Sequence, residues 1–288
     1  MGRAVIAIIK GGLGNQLFTY SAGRAFALRT GRDYYIDDRR GFTHDNYGRF
    51  YRLDRFPLAV KKMPEEWRVA PTLKHLRHKV IRAWNKMLPR DWRTYLAQRW
   101  DLPPSQLTER KPHRKRVTLN GYWPDEAFFG DFSEQIRADL VPPAPKDQRN
   151  LTLDAELSAG NTVFVHARRV RYPTLLSVEY YREALAVIRE HVAQPRFVVF
   201  SDDPTWIREN LDFRNDSVVW VDHNQDDELA DLWLMTRCRH AIIANSSFSW
   251  WGAWLGGDPA DGRVICTPDH PDWIIRPAKG WHCIPFEM

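Results

Sequence analysis

Apolar and polar positions change their period several times along the chain. Residues 3–9, RAVIAII, form a continuous apolar run, the pattern of a buried strand. A glycine turn follows. Leu17, Phe18, Ala22, Ala25, Phe26 and Leu28 then recur at helical spacing up to Gly31, which reads as a C-cap. RDYYIDD (32–38) is the next strand, so the chain opens as a βαβ unit and predicts an open parallel sheet. From 40 to 116 the pattern is irregular, Arg-rich and reads as mostly helical, and RVTLNGYW (116–123) returns to strand.

Three prolines within LVPPAPKDQRN (140–150) cannot continue a helix and predict an extended linker, dividing the chain into domains 1–150 and 151–288. A cleaner alternation follows it. NTVFVHARR, RFVVFSDD, SVVWVDH, HAIIANSS and RVICTPD read as strands. VEYYREALAVIREHV, PTWIREN, DELADLWLMTRC and FSWWGAWLG read as the helices between them. Five strands and four helices in alternation predict a doubly wound α/β domain, whose ligand sits beyond the carboxyl ends of the strands. His166 to Arg169, Ser201 to Asp203 and Asn245 to Ser247 fall at those ends.

Composition bounds the function. The chain has 288 residues, 43% apolar and 27% charged, which fits a globular protein able to bury a real core. Thirteen tryptophans offer flat faces for sugars, or simply packing volume. Net charge is +6, and the excess lies between residues 61 and 116, which suggests an acidic partner. The N-terminal apolar run is too short for a signal peptide and no stretch is long enough to span a bilayer, so the chain is expected in the cytosol. Cys238, Cys266 and Cys283 lack any metal-ligand spacing and are expected as buried thiols.

Three segments carry candidate chemistry. In GGLGNQ, Gly12, Gly14 and the strand-end acids Asp37 and Asp38 partly match a dinucleotide fingerprint, but Leu17 stands where a third glycine belongs. A nicotinamide site, a structural turn and another phosphate or sugar contact all stay open, with Asn15 and the helix-start N–H groups as donors. VHARR ends a buried strand with His166, Arg168 and Arg169, an expensive place for two fixed charges unless an anion or acidic side chains meet them. NSSF (Asn245, Ser246, Ser247, Phe248) opens a helix and offers hydroxyls and N–H groups, again an anion seat. In SDD, Asp202 and Asp203 could accept from a guanine edge, or one could cap the helix before Pro204. No Asp-x-Asp pair and no zinc spacing occurs, so no metal is expected. Residues 72–88 form a basic amphipathic pattern that either packs on its own domain or, with 109–116, rests on an anionic membrane. No nucleic-acid reading motif is present.

GGLGNQLFTYSAGRAFALRTG, NGYWPDEAFF, VHARR with VEYYREAL, FSDDP and DLWLMTRCRHAIIANSSFSWWGAWL together resemble the α-1,2-fucosyltransferases of glycosyltransferase family 11, in order over nearly the whole chain. The resemblance implies an α/β, GT-B-like fold of two facing Rossmann-type domains with parallel sheets, an acceptor-side N-terminal domain and a C-terminal domain holding GDP. It implies metal-independent, inverting transfer from GDP-fucose, with no cofactor, to a glycan hydroxyl, often the 2-OH of galactose. The acceptor could be lipid-linked, with the enzyme peripheral at the inner membrane surface. Carried over, His166 and one of Asp202 and Asp203 would hold guanine, and Arg168 would meet the phosphates beside Ser246, Ser247 and Phe248. Asn15 would lie near the reacting sugar. Val170 and Arg171 replace the family's Gly and Asp, which removes a carboxylate partner from the Arg pair and leaves an altered donor or a non-catalytic binder open.

Overall fold

The computed structural model describes residues 2–58, 60–68, 80, 83–85, 87–100, 103–157, 160–170 and 174–286. The chain divides into two compact units, residues 1–140 and 141–288. The division falls at the start of the proline-rich stretch. Its far end is already helical and belongs to the second unit, because Asn150 hydrogen-bonds to Asn224 and His223.

In the first unit, β1 (Ala4–Ile8), β2 (Asp33–Asp37), β3 (Lys61–Lys62), β4 (Tyr95–Ala97) and β5 (Arg116–Asn120) form one parallel sheet in the order β3-β2-β1-β5-β4. Helix α1 (Leu13–Thr30) is buried on almost every side, which its run of Leu, Phe, Tyr and Ala permits. Gly31 ends it in the left-handed conformation, φ 58°, with its N–H turned back to Ala27 and Leu28 carbonyls. Gly23 lets α1 lie directly on β2: a Cβ there would stand 2.5 Å from the Tyr34 hydroxyl, which itself donates to the Tyr20 carbonyl. Asp139 in α2 (Ser133–Asp139) accepts from Tyr20 at 2.8 Å and Arg24 at 2.9 Å, fastening α1 to the end of the unit.

Where residues 40–68 and 88–116 are described they depart from the mostly helical expectation. They consist there of short 3₁₀ turns, one four-residue helical turn and the two small strands β3 and β4. Arg- and Pro-rich segments hold together there through side-chain hydrogen bonds to backbone carbonyls, as Arg90 does to Ser105 and Arg93 to Leu88, a device without periodicity. The basic helical pattern at 72–88 lies largely outside the described residues; 80, 83–85 and 87 are helical.

The second unit begins with α3 (Gln148–Leu157) and builds a six-stranded parallel sheet from β6 (Thr162–Ala167), β7 (Arg196–Ser201), β8 (Ser217–Val221), β9 (His240–Ile242), β10 (Ile265–Asp269) and β11 (His282–Pro285). The order is β11-β10-β9-β6-β7-β8. One strand more than expected is present, since β11 is too short and polar to announce itself. Helices α4 (Val178–His191), α5 (Pro204–Asn210), α6 (Glu228–Arg237) and α7 (Ser247–Leu255) make the connections. In α4, Tyr180, Tyr181, Ala184, Leu185 and Ile188 lie on one buried face against Val163, Val165 and Val199. Each such large side chain stabilises the fold by about 1.5–3 kcal/mol. Trp250, Trp251 and Trp254 are buried and packed on one another in α7, so these indoles serve packing rather than sugar binding. Cys238 and Cys266 are buried as expected, whereas Cys283 is exposed. Among the described residues no helix is long and apolar enough to cross a membrane.

Candidate active site

The winding of the second sheet places its site. From β6 the chain proceeds outward to β7 and β8, then returns to β9 on the other side of β6 and proceeds to β10 and β11. The β6–β9 gap is therefore the topological switch point, and ligands bind beyond the strand carboxyl ends there. Three predicted segments meet at that edge: His166–Arg169 after β6, Ser201–Asp203 after β7, and Asn245–Phe248 after β9.

His166 is 6% exposed, and its Nδ1 is buried with no hydrogen-bond partner among the described residues. Burial, then the positive charge of Arg168, push its pKa down to about 3, so the ring is neutral at physiological pH. The Phe248 ring lies 6.0 Å away. A buried polar atom without a partner costs about 1–3 kcal/mol, which is offset when a ligand supplies one.

Arg168 has a half-exposed side chain, its Nε 3.8 Å from Asp202 Oδ2. Asp202 Oδ1 accepts the backbone N–H of Arg169 at 2.7 Å. Asp203 caps α5 by accepting from Trp206 N at 3.0 Å. Both aspartates are therefore engaged locally: Asp202 fixes the turn and orients Arg168, and Asp203 serves as the helix cap. Ser201 Oγ donates to the Ala167 carbonyl, locking the ends of β6 and β7 together. Arg169 turns to other work, its guanidinium 3.7 Å over the Trp206 ring and Nη1 donating to the Leu176 carbonyl at 2.7 Å. Val170 is 46% exposed, and Arg171 lies outside the described residues.

Asn245, 1% exposed, donates through Nδ2 to the Thr174 carbonyl at 2.9 Å. Ser246 is the N-cap of α7, its Oγ accepting from Phe248 N at 3.3 Å. Ser247 opens the helix, whose first turn carries no acidic side chain, so its N–H groups and dipole favour an anion. Neutral imidazole, guanidinium and helix start together can recognise a polar ring edge and neutralise a phosphate chain beside it.

The first unit has a second switch point, between β1 and β5, where the glycine turn lies. Gly11 has φ 78°, and a Cβ there would press on Asn15 and Tyr122 at 3.1 Å, while the position of a Gly12 Cβ is open space. Gly14 is buried and Asn15 half-buried in the first turn of α1. Gln16, fully buried, donates from Nε2 to the carbonyls of Gly11 and Phe50, both at 2.8 Å, and accepts from Arg52 N at 3.0 Å. It pins residues 50–52 to the turn and leaves Tyr47 and Phe50 79% and 57% exposed, with Arg49 and Arg52 stacked on them. Asp37, the ribose ligand of a nicotinamide reading, is 1% exposed and bound by Arg40 at 3.0 Å and Arg68 at 3.3 Å. Asp38 is held by Arg68 and Lys62. With both acids occupied and the third glycine absent, this turn does not fit a dinucleotide.

Two groups of polar residues were not anticipated. Gln16 carried a readable signal, an amide amid a helix otherwise buried all round. The network of Asn150, Asn224, Asp231, Asp147 and His223 carried none, since only the folded sheet brings 147–150 to 223–231.

Two α/β units, each built on a parallel Rossmann-type sheet, define the GT-B-like fold class. The model of glycosyl transferase family 11 matches residues 4–272, and the chain belongs to that family. It is 30% identical to an alpha-1,2-colitosyltransferase of Escherichia coli, over 94% of this chain and 93% of that protein. It is 26% identical to galactoside alpha-(1,2)-fucosyltransferase 1 of Bos taurus, over 90% of this chain and 69% of that one. Among solved structures, NodZ alpha-1,6-fucosyltransferase soaked with GDP-fucose superposes with a TM-score of 0.53 at 15% identity, covering 88% of this chain and 93% of that one.

Proposed function

We propose that the chain transfers L-fucose or colitose, which is fucose lacking its 3-hydroxyl, from the GDP ester to the 2-OH of galactose in a glycan. The reading rests on family membership and on relatives of both donor types. One observation carries its nucleotide half: the neutral, unpartnered Nδ1 of buried His166 beside Arg168 at the switch point.

His166 meets the guanine edge, with Phe248 against the ring. Arg168 and the start of α7 take up the charge that builds on the departing diphosphate, the interaction worth most in a water-poor site. The acceptor oxygen forms its bond to the anomeric carbon from the face opposite the leaving phosphate, the carbon–oxygen bond to phosphate breaks with its electron pair, and configuration inverts. The acceptor hydroxyl's proton passes to water or to the departing diphosphate as GDP leaves. Positive charge from the protein serves where a divalent ion otherwise would, so the reaction is metal-independent. In the first unit, Tyr47 and Phe50 offer a sugar ring the faces opposite their stacked arginines, and Asn15 offers an amide.

Product analysis with GDP-fucose and GDP-colitose against galactosides, with and without EDTA, tests this. An EDTA-resistant α-1,2-linked product is expected. Binding of GDP without turnover on either donor would leave a nucleotide-sugar-binding protein, the reading favoured by the Val170 and Arg171 replacements.

A further inference from the structure

Among the described helical residues between 80 and 87, the apolar side chains turn outward. Val80, Trp84 and Met87 are 59%, 61% and 82% exposed. Their spacing, i, i+4 and i+7, sets them on one stripe about 60° wide at 100° per residue. Asn85, about 100–160° around the helix from that stripe, is the buried one, at 8% exposure. Its Oδ1 accepts from Thr94 N at 2.8 Å and Tyr95 N at 3.2 Å, and its Nδ2 donates to the Tyr95 carbonyl at 2.6 Å. The helix is thus fastened to β4 through an amide and shows hydrocarbon to water, the reverse of a helix packed on a soluble core. In the sequence the same spacing continues back to Leu76 and Leu73.

Charge selects what covers the stripe. Residues 61–116 contain sixteen Lys and Arg against five Asp and Glu, a net +11, whereas the whole chain is +6, so the other 232 residues carry −5. Trp92 and Trp100 in this segment are also exposed, at 45% and 56%. Two copies of such a surface would repel each other. A phosphate polymer would satisfy the cations and leave valine and methionine in water.

We propose that this face docks on an anionic lipid bilayer, with Val80, Trp84 and Met87 entering the boundary between headgroups and acyl chains. Exposed cations of this segment, such as Lys61, Arg99, Lys111 and Lys115, meet the lipid phosphates, and tryptophan occupies the depth it favours. Membrane attachment of this kind brings the enzyme to an acceptor displayed at a lipid surface.

Flotation of the full chain with vesicles tests it, using phosphatidylcholine alone and equal parts phosphatidylcholine and phosphatidylglycerol. Wild type is expected to float with the anionic vesicles and not with the neutral ones, and less as salt rises. Trp84→Ser with Met87→Ser is expected to cut partitioning at least roughly tenfold, with an unchanged melting temperature because both side chains are exposed. Trp84→Ser alone is expected to give an intermediate loss. Absence of wild-type binding to anionic vesicles, or equal binding by the double variant, overturns the proposal. So does a wild-type dimer that the double variant converts to monomer, or a nucleic-acid affinity exceeding that for vesicles. The readout requires no turnover, so an error in the donor or acceptor assignment leaves it unaffected.

Discussion

Asp231→Asn is expected to stabilise the protein, and only above mildly acidic pH. Asp231 lies in α6, where burial, countered by a hydrogen bond from Asn224 and reinforced by the charges of Asp227 and Glu228, pushes its carboxyl from 3.8 up to about 7. Below pH 3.8 folded and unfolded chains both hold the proton, and nothing is lost. Between 3.8 and 7 the folded chain keeps the proton that the unfolded chain releases, so stability falls as pH rises and the loss is complete above about 7. Roughly three pH units at 1.36 kcal/mol each set an upper bound of about 4 kcal/mol. The site is not fully enclosed, and about 2–3 kcal/mol is a fairer figure. Asparagine removes the charge and keeps an oxygen for Asn224 Nδ2, which lies 2.9 Å from the carboxylate. At 2–4 °C per kcal/mol the variant should melt roughly 4–12 °C higher than wild type at pH 8. The gain should shrink to nothing near pH 4. Thermal melts at four or five pH values measure it, and a difference that stays constant with pH refutes the buried-carboxyl reasoning.

Arg168→Ala should lower kcat by about a hundredfold or more with little change in melting temperature, because its side chain is half-exposed; steady-state kinetics with GDP-fucose decide this, and near-normal turnover removes its role. His166→Phe should reduce acid sensitivity: burial depresses the folded pKa below 6.5, so wild type loses stability as pH falls from 6.5 toward 3. Melts between pH 7 and 4 read that slope. Gln16→Ala should destabilise by about 1–3 kcal/mol, as it strands the Gly11 and Phe50 carbonyls and the Arg52 N–H. It should also raise the acceptor KM more than the donor KM, and equal changes in both would dissociate the 50–52 segment from acceptor binding.

The second unit was legible almost strand by strand, because a parallel sheet buried on both faces writes each strand as an unbroken apolar run and each crossover as an amphipathic helix. PTWIREN and VEYYREALAVIREH begin and end where proline, capping side chains and periodicity place them. In the first unit the opening β1–α1–β2 and β5 were equally plain, but the stretch between Asp38 and Arg116 was not, since β3 and β4 are two and three residues long and owe their pairing to tertiary contacts. At the site, the sequence located the segments and left the side chains' directions open. Arg168 and Arg169 are neighbours with the same chemistry, yet one is half-exposed beside Asp202 and the other lies flat on Trp206. Asp202 and Asp203 divide in the same way, one tying a turn and one capping a helix. Such divisions depend on rotamers set by β7 and α5, which no spacing encodes.

The central claim is that His166 and Arg168 at the β6–β9 edge recognise a guanosine diphosphate. Calorimetric titration of the full chain with GDP, ADP and NAD, in EDTA, tests it most directly. Binding of GDP at least tenfold tighter than ADP or NAD, reduced about tenfold or more by His166→Phe, is the predicted result. Equal affinity for ADP and GDP, or undiminished GDP binding by the His166 variant, would contradict it.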